Sequence, residues 1–361
     1  GGYAVRYRLK EGSVFAGCGA GGIVGGVYYM NRAWIVNSYN LGTVTSDSSS
    51  GGIVGEHWSY GGALVNVMNL GEVKLDKQET SIDVKSIVGE KGYALEMIDN
   101  VFYVALGRNE HYGTAVTAAQ LADGSVASLM HAYDYAGFEG SVWGQDVGTD
   151  SHPVLTGEVK NATFEARTVT FDTHGGENIE IAAPKGFAVR IPDIERAGYE
   201  NLGWFGNPEF KGDTLSHVAA ADTDATVWGK FMAVASITLN TNGGTVDSGM
   251  VEKYTEGLGA KLPKKVSRDG YVFVGWYAEE DFSGNRVQAV GPDATGAQVF
   301  YARWYKMETP AKDDAGCYVI KTAPELYGFA AIVNGTAGYT RERSACAGLA
   351  NDIVVNSDVL K

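Results

Sequence analysis

Along roughly the first hundred residues, apolar positions come in short runs broken by glycine. Gly22-Ile23-Val24-Gly25 recurs thirty residues further on as Gly52-Ile53-Val54-Gly55, and more weakly as Ser86-Ile87-Val88-Gly89. Between these lie Val36-Asn37-Ser38-Tyr39-Asn40-Leu41-Gly42, then Val65-Asn66-Val67-Met68-Asn69-Leu70-Gly71, then a degraded Asp99-Asn100-Val101-Phe102. A half copy opens the series, with Gly12-Ser13-Val14 matching Gly42-Thr43-Val44. Each copy reads as short strands joined by glycine turns. One copy cannot bury its apolar face alone, whereas stacked copies share one core, so the pattern predicts a solenoid. Ile23, Ile53 and Ile87 should form one column. Val24, Val54 and Val88 would face the other way if the motif is strand. Asn37, Asn66 and Asn100 recur at one position and are expected to form an inward ladder that satisfies turn backbone groups; the alternative is three exposed turn asparagines.

The G-G-I-V-G core and the N-x-x-N-x-G segment resemble the GLUG motif of bacterial surface and adhesin-like proteins, over roughly residues 1–110. The resemblance implies a right-handed parallel β-helix, assigned to residues 1–113. Ser86 departs from the pattern by replacing the second glycine. Residues 114–160 break the period. Thr114 to Ala132 reads as a helix with Val116, Leu121, Val126, Leu129 and Met130 on one face, weakened by Gly124. Trp143-Gly144-Gln145-Asp146-Val147-Gly148-Thr149-Asp150 and Pro153-Val154-Leu155 look like the closing segment that follows GLUG repeats. A solenoid needs such a cap because its last strands leave edges and apolar columns open.

A second pattern follows. Thr168-Val169-Thr170-Phe171-Asp172 through Gly175-Gly176 matches Ser236-Ile237-Thr238-Leu239-Asn240 through Gly243-Gly244. Gly198-Tyr199 with Gly203-Trp204-Phe205 matches Gly270-Tyr271 with Gly275-Trp276-Tyr277, and Phe210-Lys211-Gly212 matches Phe282-Ser283-Gly284. Each unit ends in an aromatic strand, Val227–Phe231 and Val299–Trp304. These residues resemble the Listeria–Bacteroides repeat, or internalin B-repeat. The resemblance implies two small β-grasp-like domains, at 166–233 and 236–306. At ~70 residues each they lie near the lower limit for an unaided core, which makes Trp204 and Trp276 expected core anchors. The alternative reading is that they are ligand platforms.

Residues 307–316 read as a linker. In 317–361, a strand from Cys317 precedes a helix that sets Leu326, Phe329, Ile332 and Val333 on one side. Thr322 is its expected N-cap, with Pro324 in the first turn and Glu325 at the capping-box position. Asn351–Asn356 reads as another strand. The segment looks like the lead-in, or cap, of a following solenoid module, here placed last. Either the chain is a window of a longer protein, or this segment caps the end near Gly1 of a neighbouring molecule, a head-to-tail contact that builds filaments if it does not close. The expectation is thus a monomer or a head-to-tail assembly. Cys317 and Cys346 flank the helix and are expected to form a disulfide, an effective staple in an oxidising compartment; two free buried thiols are the alternative. Cys18 is left over.

The fold class expected is therefore mainly β: a right-handed parallel β-helix, two small β-grasp-like domains and a short α/β C-terminal segment. Composition agrees. Glycine, at 49, is in excess, while 8 prolines and no G-X-Y period exclude collagen. The net charge of -14 with no basic stripe argues against a nucleic-acid partner. No apolar run approaches the ~20 residues that span a bilayer. The chain begins without Met or a signal peptide, as a processed or trimmed chain would.

Chemical motifs are sparse. His57, His111, His131, His152, His174 and His217 form no H-E-x-x-H or H-x-H pair, and no G-x-S-x-G elbow or P-loop stands out. No cofactor is expected. Calcium is possible at Asp47-Ser48-Ser49-Ser50 or Glu279-Glu280-Asp281, with solvated turns as the simpler reading. Tyr28, Tyr29, Trp34, Trp58 and Tyr60 are candidate ligand-facing aromatics, or else side chains packing over the solenoid. The expected function is a non-catalytic structural and adhesive segment of a secreted or cell-surface bacterial protein, meeting a host cell, a neighbouring cell or a polysaccharide. The alternatives are a carbohydrate-binding module of a polysaccharide-degrading system and a β-helix lyase or glycosidase, which needs facing carboxylates in a cleft.

Overall fold

The computed structural model describes residues 3–5, 8–9, 13–16, 20–29, 33–47, 49–75, 84–106, 110, 112–133 and 140–355. Gly12, Cys18, Ser48, His111, Asn356 and the termini Gly1 and Lys361 lie outside them. The chain divides into two compact units. One comprises 1–193 with 205–228, the other 194–204 with 229–361.

In the first unit, short strands from successive sequence copies lie side by side in four parallel stacks. Ala33–Asn40, Ala63–Asn69 and Met97–Val104 form the central strands of the widest stack. Leu64 there pairs with Ile35 on one side and Ile98 on the other. Val24–Tyr29, Val54–Ser59 and Val88–Lys91 form another. Two narrower stacks are built around Thr43–Ser46 and Ser50–Gly51. Val27, Ile35, Ile53, Val54, Leu64 and Val67 meet in one buried cluster. Full burial of each such side chain contributes about 1.5–3 kcal/mol.

Ile53 and Val54 do not face opposite ways. Both are buried, at 0% and 2% exposure. The reason is a corner: Ile53 N and Val54 N both donate to Ile87 O at 3.0 Å, and Ile23 N and Val24 N share Ile53 O in the same manner. Strand alternation applies within a strand and is lost across this bend.

The asparagines divide into two ladders. Asn37, Asn66 and Asn100 take left-handed backbone (φ 48°, 50° and 46°), a region where Asn is tolerated. Asn100 Nδ2 donates to Asn66 Oδ1 at 3.0 Å, and Asn66 Nδ2 to Asn37 Oδ1 at 3.1 Å. Asn100 and Asn66 also donate to Leu129 O and Tyr133 O, and Trp143 Nε1 donates to Asn37 Oδ1. This ladder thus joins the sheet to Leu129, Tyr133 and Trp143. It is not the ladder that binds the turns. That role falls to Asn40 and Asn69, which bond to each other and to Gly42 and Gly71.

The segment after Met97–Val104 begins with a further strand, Thr114–Val116, rather than a helix. Two short helices follow, Ala118–Ala122 with a Thr117–Gln120 capping box, and Ser125–His131. Gly124, at φ 88°, separates them, and Asp123 Oδ1 accepts from Ser125 N to start the second. Still in this unit, Ala166–Asp172 pairs antiparallel with Ile179–Pro184 and parallel with the first residues of Ala225–Asn240. Val169 and Phe171 are fully buried.

In the second unit, Tyr271–Tyr277 pairs antiparallel with Gln298–Lys306, whose first residues pair parallel with Ile237–Asn240. Ile237, Tyr254, Leu262, Trp276, Val290 and Phe300 form its core. Trp276 Nε1 donates to Pro263 O at 2.8 Å, which satisfies the one polar atom of a 2%-exposed indole. Trp204 lies edge-on to Phe231, with ring centroids 5.9 Å apart. Within residues 307–316, Met307 is buried and Ala311–Lys312 pairs with Tyr318–Ile320, while 311–316 are exposed. The helix Ala323–Asn334 carries the Thr322–Glu325 capping box and ends at Gly335 in left-handed backbone. Cys317 and Cys346 form a disulfide, with Cα atoms 4.8 Å apart. The bridge sets Ala347–Leu349 parallel to Tyr318–Ile320. This displaces the expected strand: residues 351–355 form none.

Candidate functional site

The register of one stack makes an exposed aromatic row. Gly26 pairs with Glu56, Val27 with His57 and Tyr28 with Trp58, while Glu90 and Lys91 pair with Glu56 and His57. Alternation turns Val27, His57 and Ser59 inward and Tyr28 and Trp58 outward. Tyr28 is 42% exposed and Trp58 41%. Glycines on the same face accommodate the rings. A Cβ at Gly92 would lie 2.2 Å from Trp58 Cε3, and one at Gly26 2.4 Å from the Tyr28 ring. Tyr28 Oη donates to Glu56 Oε2 at 2.5 Å, fixing the phenol beside a carboxylate.

Tyr60 and Tyr93 extend the row from the adjoining turns. They are 62% and 39% exposed, with ring centroids 3.9 Å apart. The hydrogen bond with Tyr93 is the main cause that raises the Tyr60 phenol above its ordinary value. Behind them His57 is almost fully buried. Its Nδ1 lies 3.2 Å from Tyr93 O and its Nε2 3.2 Å from Gly61 O, so one ring bridges the two turns that carry the tyrosines.

The other candidates divide differently. Trp34 packs on the opposite side of its sheet with Val36, Ala63 and Val65, outside the row. Tyr29 ends its strand opposite Ser59. Tyr93 and His57 were not singled out by the repeat pattern. The third copy carries its aromatic after Gly92, one position out of step with Trp58, and nothing in the motifs marks His57.

One polar cluster also escaped the motifs. Asp99 occupies the position of Val36 and Val65 in neighbouring strands. Its fully buried carboxylate accepts from Arg190 Nη1 and, at 2.8 Å, from His217 Nε2. Arg190 stacks over Tyr133 at 4.1 Å. A polar residue in a valine column was the available signal. Asp99 and His217 line a cavity of about 210 Å³ in which Asp99 is the one lining carboxylate. Among the described residues no group of three or more His, Cys, Asp or Glu is arranged to hold a metal. At Asp281 the carboxylate is held below its ordinary value chiefly by hydrogen bonding to Ser283.

Comparison with known proteins bears on the second pattern. Residues 168–227 and 236–303 match the Listeria–Bacteroides repeat domain. Both copies of the G-Y-x-x-x-G-W-[YF] signature fall inside those limits. A curated protein of Evansella cellulosilytica, which its name calls a Gly-rich membrane protein, is 24% identical over 301 residues. The alignment covers 76% of this chain and 33% of that relative, so the chain corresponds to about a third of its length. No helix among the described residues is long and apolar enough to cross a membrane.

Proposed function

We propose that this chain is a non-catalytic, adhesive and structural segment of a secreted or cell-surface bacterial repeat protein, and that it holds a polysaccharide against the row Tyr28, Trp58, Tyr60 and Tyr93. The observation that carries the reading is the row itself: four aromatic side chains exposed together on one parallel stack and its turns. Monomeric proteins seldom expose aromatics in a group without a binding role. Rigid aromatic faces suit the apolar faces of sugar rings, and Glu56 beside Tyr28 supplies a hydrogen-bond acceptor for hydroxyls.

In this reading the four stacks form a right-handed parallel β-helix of GLUG type. Parallel pairing between copies 29 and 34 residues apart, with asparagines laddered across them, supports it. The Listeria–Bacteroides repeats act as spacers, and the disulfide suits an oxidising, extracytoplasmic compartment. The relative's membrane designation is consistent with a surface location.

The test is retention of the purified chain on a panel of insoluble and arrayed polysaccharides. Retention that drops at least tenfold in Trp58→Ala and Tyr60→Ala, with the melting transition unchanged, is expected. Equal retention by wild type and both variants, or retention of neither on any glycan, rejects the aromatic row as the contact.

A further inference from the structure

The second Listeria–Bacteroides repeat carries a cavity of about 290 Å³ that is open to solvent. Three stretches line it: 262–264, 273–276 and 286–288. Its floor is apolar, formed by Leu262 and Phe273 with Trp276 behind, the two aromatic ring centroids 5.5 Å apart. Its rim is cationic. Arg286 lays its stem across Gly275, where a Cβ would lie 2.1 Å from Arg286 Cδ, and its Nη1 is anchored on Val274 O at 3.3 Å. Lys264 stands on the same rim. Both cations are exposed, and neither makes an ion pair with any described residue. In a chain of net charge -14, two unpaired cations beside one apolar cavity are a local reversal of sign.

We infer that this cavity binds a carboxylate-bearing sugar, a uronic acid residue of an acidic glycan, with the ring face on Phe273 and the carboxylate between Lys264 and Arg286. The volume lies at the small end of ligand pockets, which suits one or two rings rather than a long ligand. Arg presents a planar fork that matches a carboxylate, and Lys adds a point charge. An extended peptide fits less well, because main-chain recognition needs free backbone groups along the wall. Here Leu262 N is bonded to Gln288 O and Val287 N to Trp276 O.

The first repeat serves as an internal comparison. Between the shared tryptophan and the shared F-x-G, sequence spacing is constant, so Phe273 and Arg286 correspond to Asn201 and Thr214. The first repeat has neither the ring nor the cation. The site is therefore specific to the second repeat and separate from the aromatic row.

The experiment is calorimetric titration of the full chain with a galacturonic acid trisaccharide and with its carboxyl-reduced neutral twin. The trisaccharide should bind, the neutral twin at least tenfold more weakly, and added salt should weaken binding. Arg286→Thr and Phe273→Asn should each lower affinity at least tenfold, while Arg286→Lys keeps part of it. Trisaccharide binding that is lost in Trp58→Ala but kept in Arg286→Thr places the ligand on the aromatic row and overturns this inference, whereas loss in Arg286→Thr alone leaves the aromatic-row reading to its own test. An unaltered melting transition identifies variants that still fold. No binding of the trisaccharide, equal binding of the neutral twin, undiminished binding by Arg286→Thr, or stronger binding of a Phe-terminated peptide each overturns the inference.

Discussion

Asn40 donates from Nδ2 to Asn69 Oδ1 at 2.8 Å across 29 residues of sequence, and the space that the Asn69 amide occupies exists because residue 52 is glycine. A Cβ at Gly52 would lie 2.2 Å from Asn69 Cγ, and one at Gly22 2.7 Å from the Asn40 amide. The glycine of one turn and the asparagine of another are thus one structural device. Removing the amide strands buried groups that otherwise have partners, including Gly71 O. We expect Asn69→Leu to destabilise the first unit by about 2–4 kcal/mol, and Gly52→Ala by a similar amount, read by urea denaturation. Asn66→Gly, which keeps the left-handed backbone, should cost less than Asn66→Ala.

The third copy ends this ladder with Tyr103, which pairs with Asn69. Burial is the main cause that raises its phenol above the ordinary value of 10.0, with Glu110 adding to the shift. The folded state therefore favours the neutral phenol. Its contribution is fully present below the unfolded-state pKa and is lost as pH rises through the higher folded-state value. Ultraviolet titration should show Tyr103, like Tyr60, ionising later than an ordinary phenol, with an alkaline loss of stability. Tyr103→Phe should remove its share of the late ionisation and reduce that alkaline loss.

Asp99 meets Arg190 and His217 with its own carboxylate fully buried, whereas these two partners retain 27% and 34% side-chain exposure. The exposed partners can rehydrate when the carboxylate is removed; the carboxylate cannot. Arg190→Met should therefore destabilise more than Asp99→Asn, about 3 kcal/mol against about 1–2 kcal/mol. The reverse order in thermal or chemical melts would contradict this account of the cluster.

Cys317 and Cys346 close a loop with a sequence separation of 29. Chain entropy assigns such a loop about 3–4 kcal/mol. Reduction, or the double variant Cys317→Ser with Cys346→Ser, should raise hydrogen exchange at Tyr318–Ile320 and Ala347–Leu349 far more than in the Tyr271–Tyr277 strand. Equal protection with and without reductant would show that the helix and strand hold without the staple.

Trp58 lies over Gly92. Gly92→Leu should therefore displace the indole and shift its emission, without lowering the unfolding free energy by more than about 0.5 kcal/mol, as expected for an exposed position. Trp58→Phe in the same background identifies the signal among the chain's seven tryptophans. An unchanged spectrum would mean that residue 92 does not seat the ring.

The sequence by itself determined what repetition and local chemistry specify. Two patterns of different spacing, the Thr322–Glu325 capping box, the core tryptophans and the recurrence of the Gly-Ile-Val motif are all legible, because each depends on neighbours a few residues away or on a repeated copy. Tertiary structure alone decided which way those elements turn and what they meet. Val54 faces inward with Ile53 because two successive amides share one carbonyl of the adjoining strand. Asn37 and Asn40 recur with equal regularity, yet one bonds to the covering segment and the other to the turns. Ala347–Leu349, rather than 351–355, pairs with Tyr318–Ile320, next to the disulfide that ties Cys346 to Cys317. Tyr93 joins Tyr60 and Arg190 joins Asp99 across 33 and 91 residues of chain, and no local spacing encodes such meetings. Repetition encodes the stack; side-chain direction at a bend, and contacts between unlike segments, arise only when the backbone has closed.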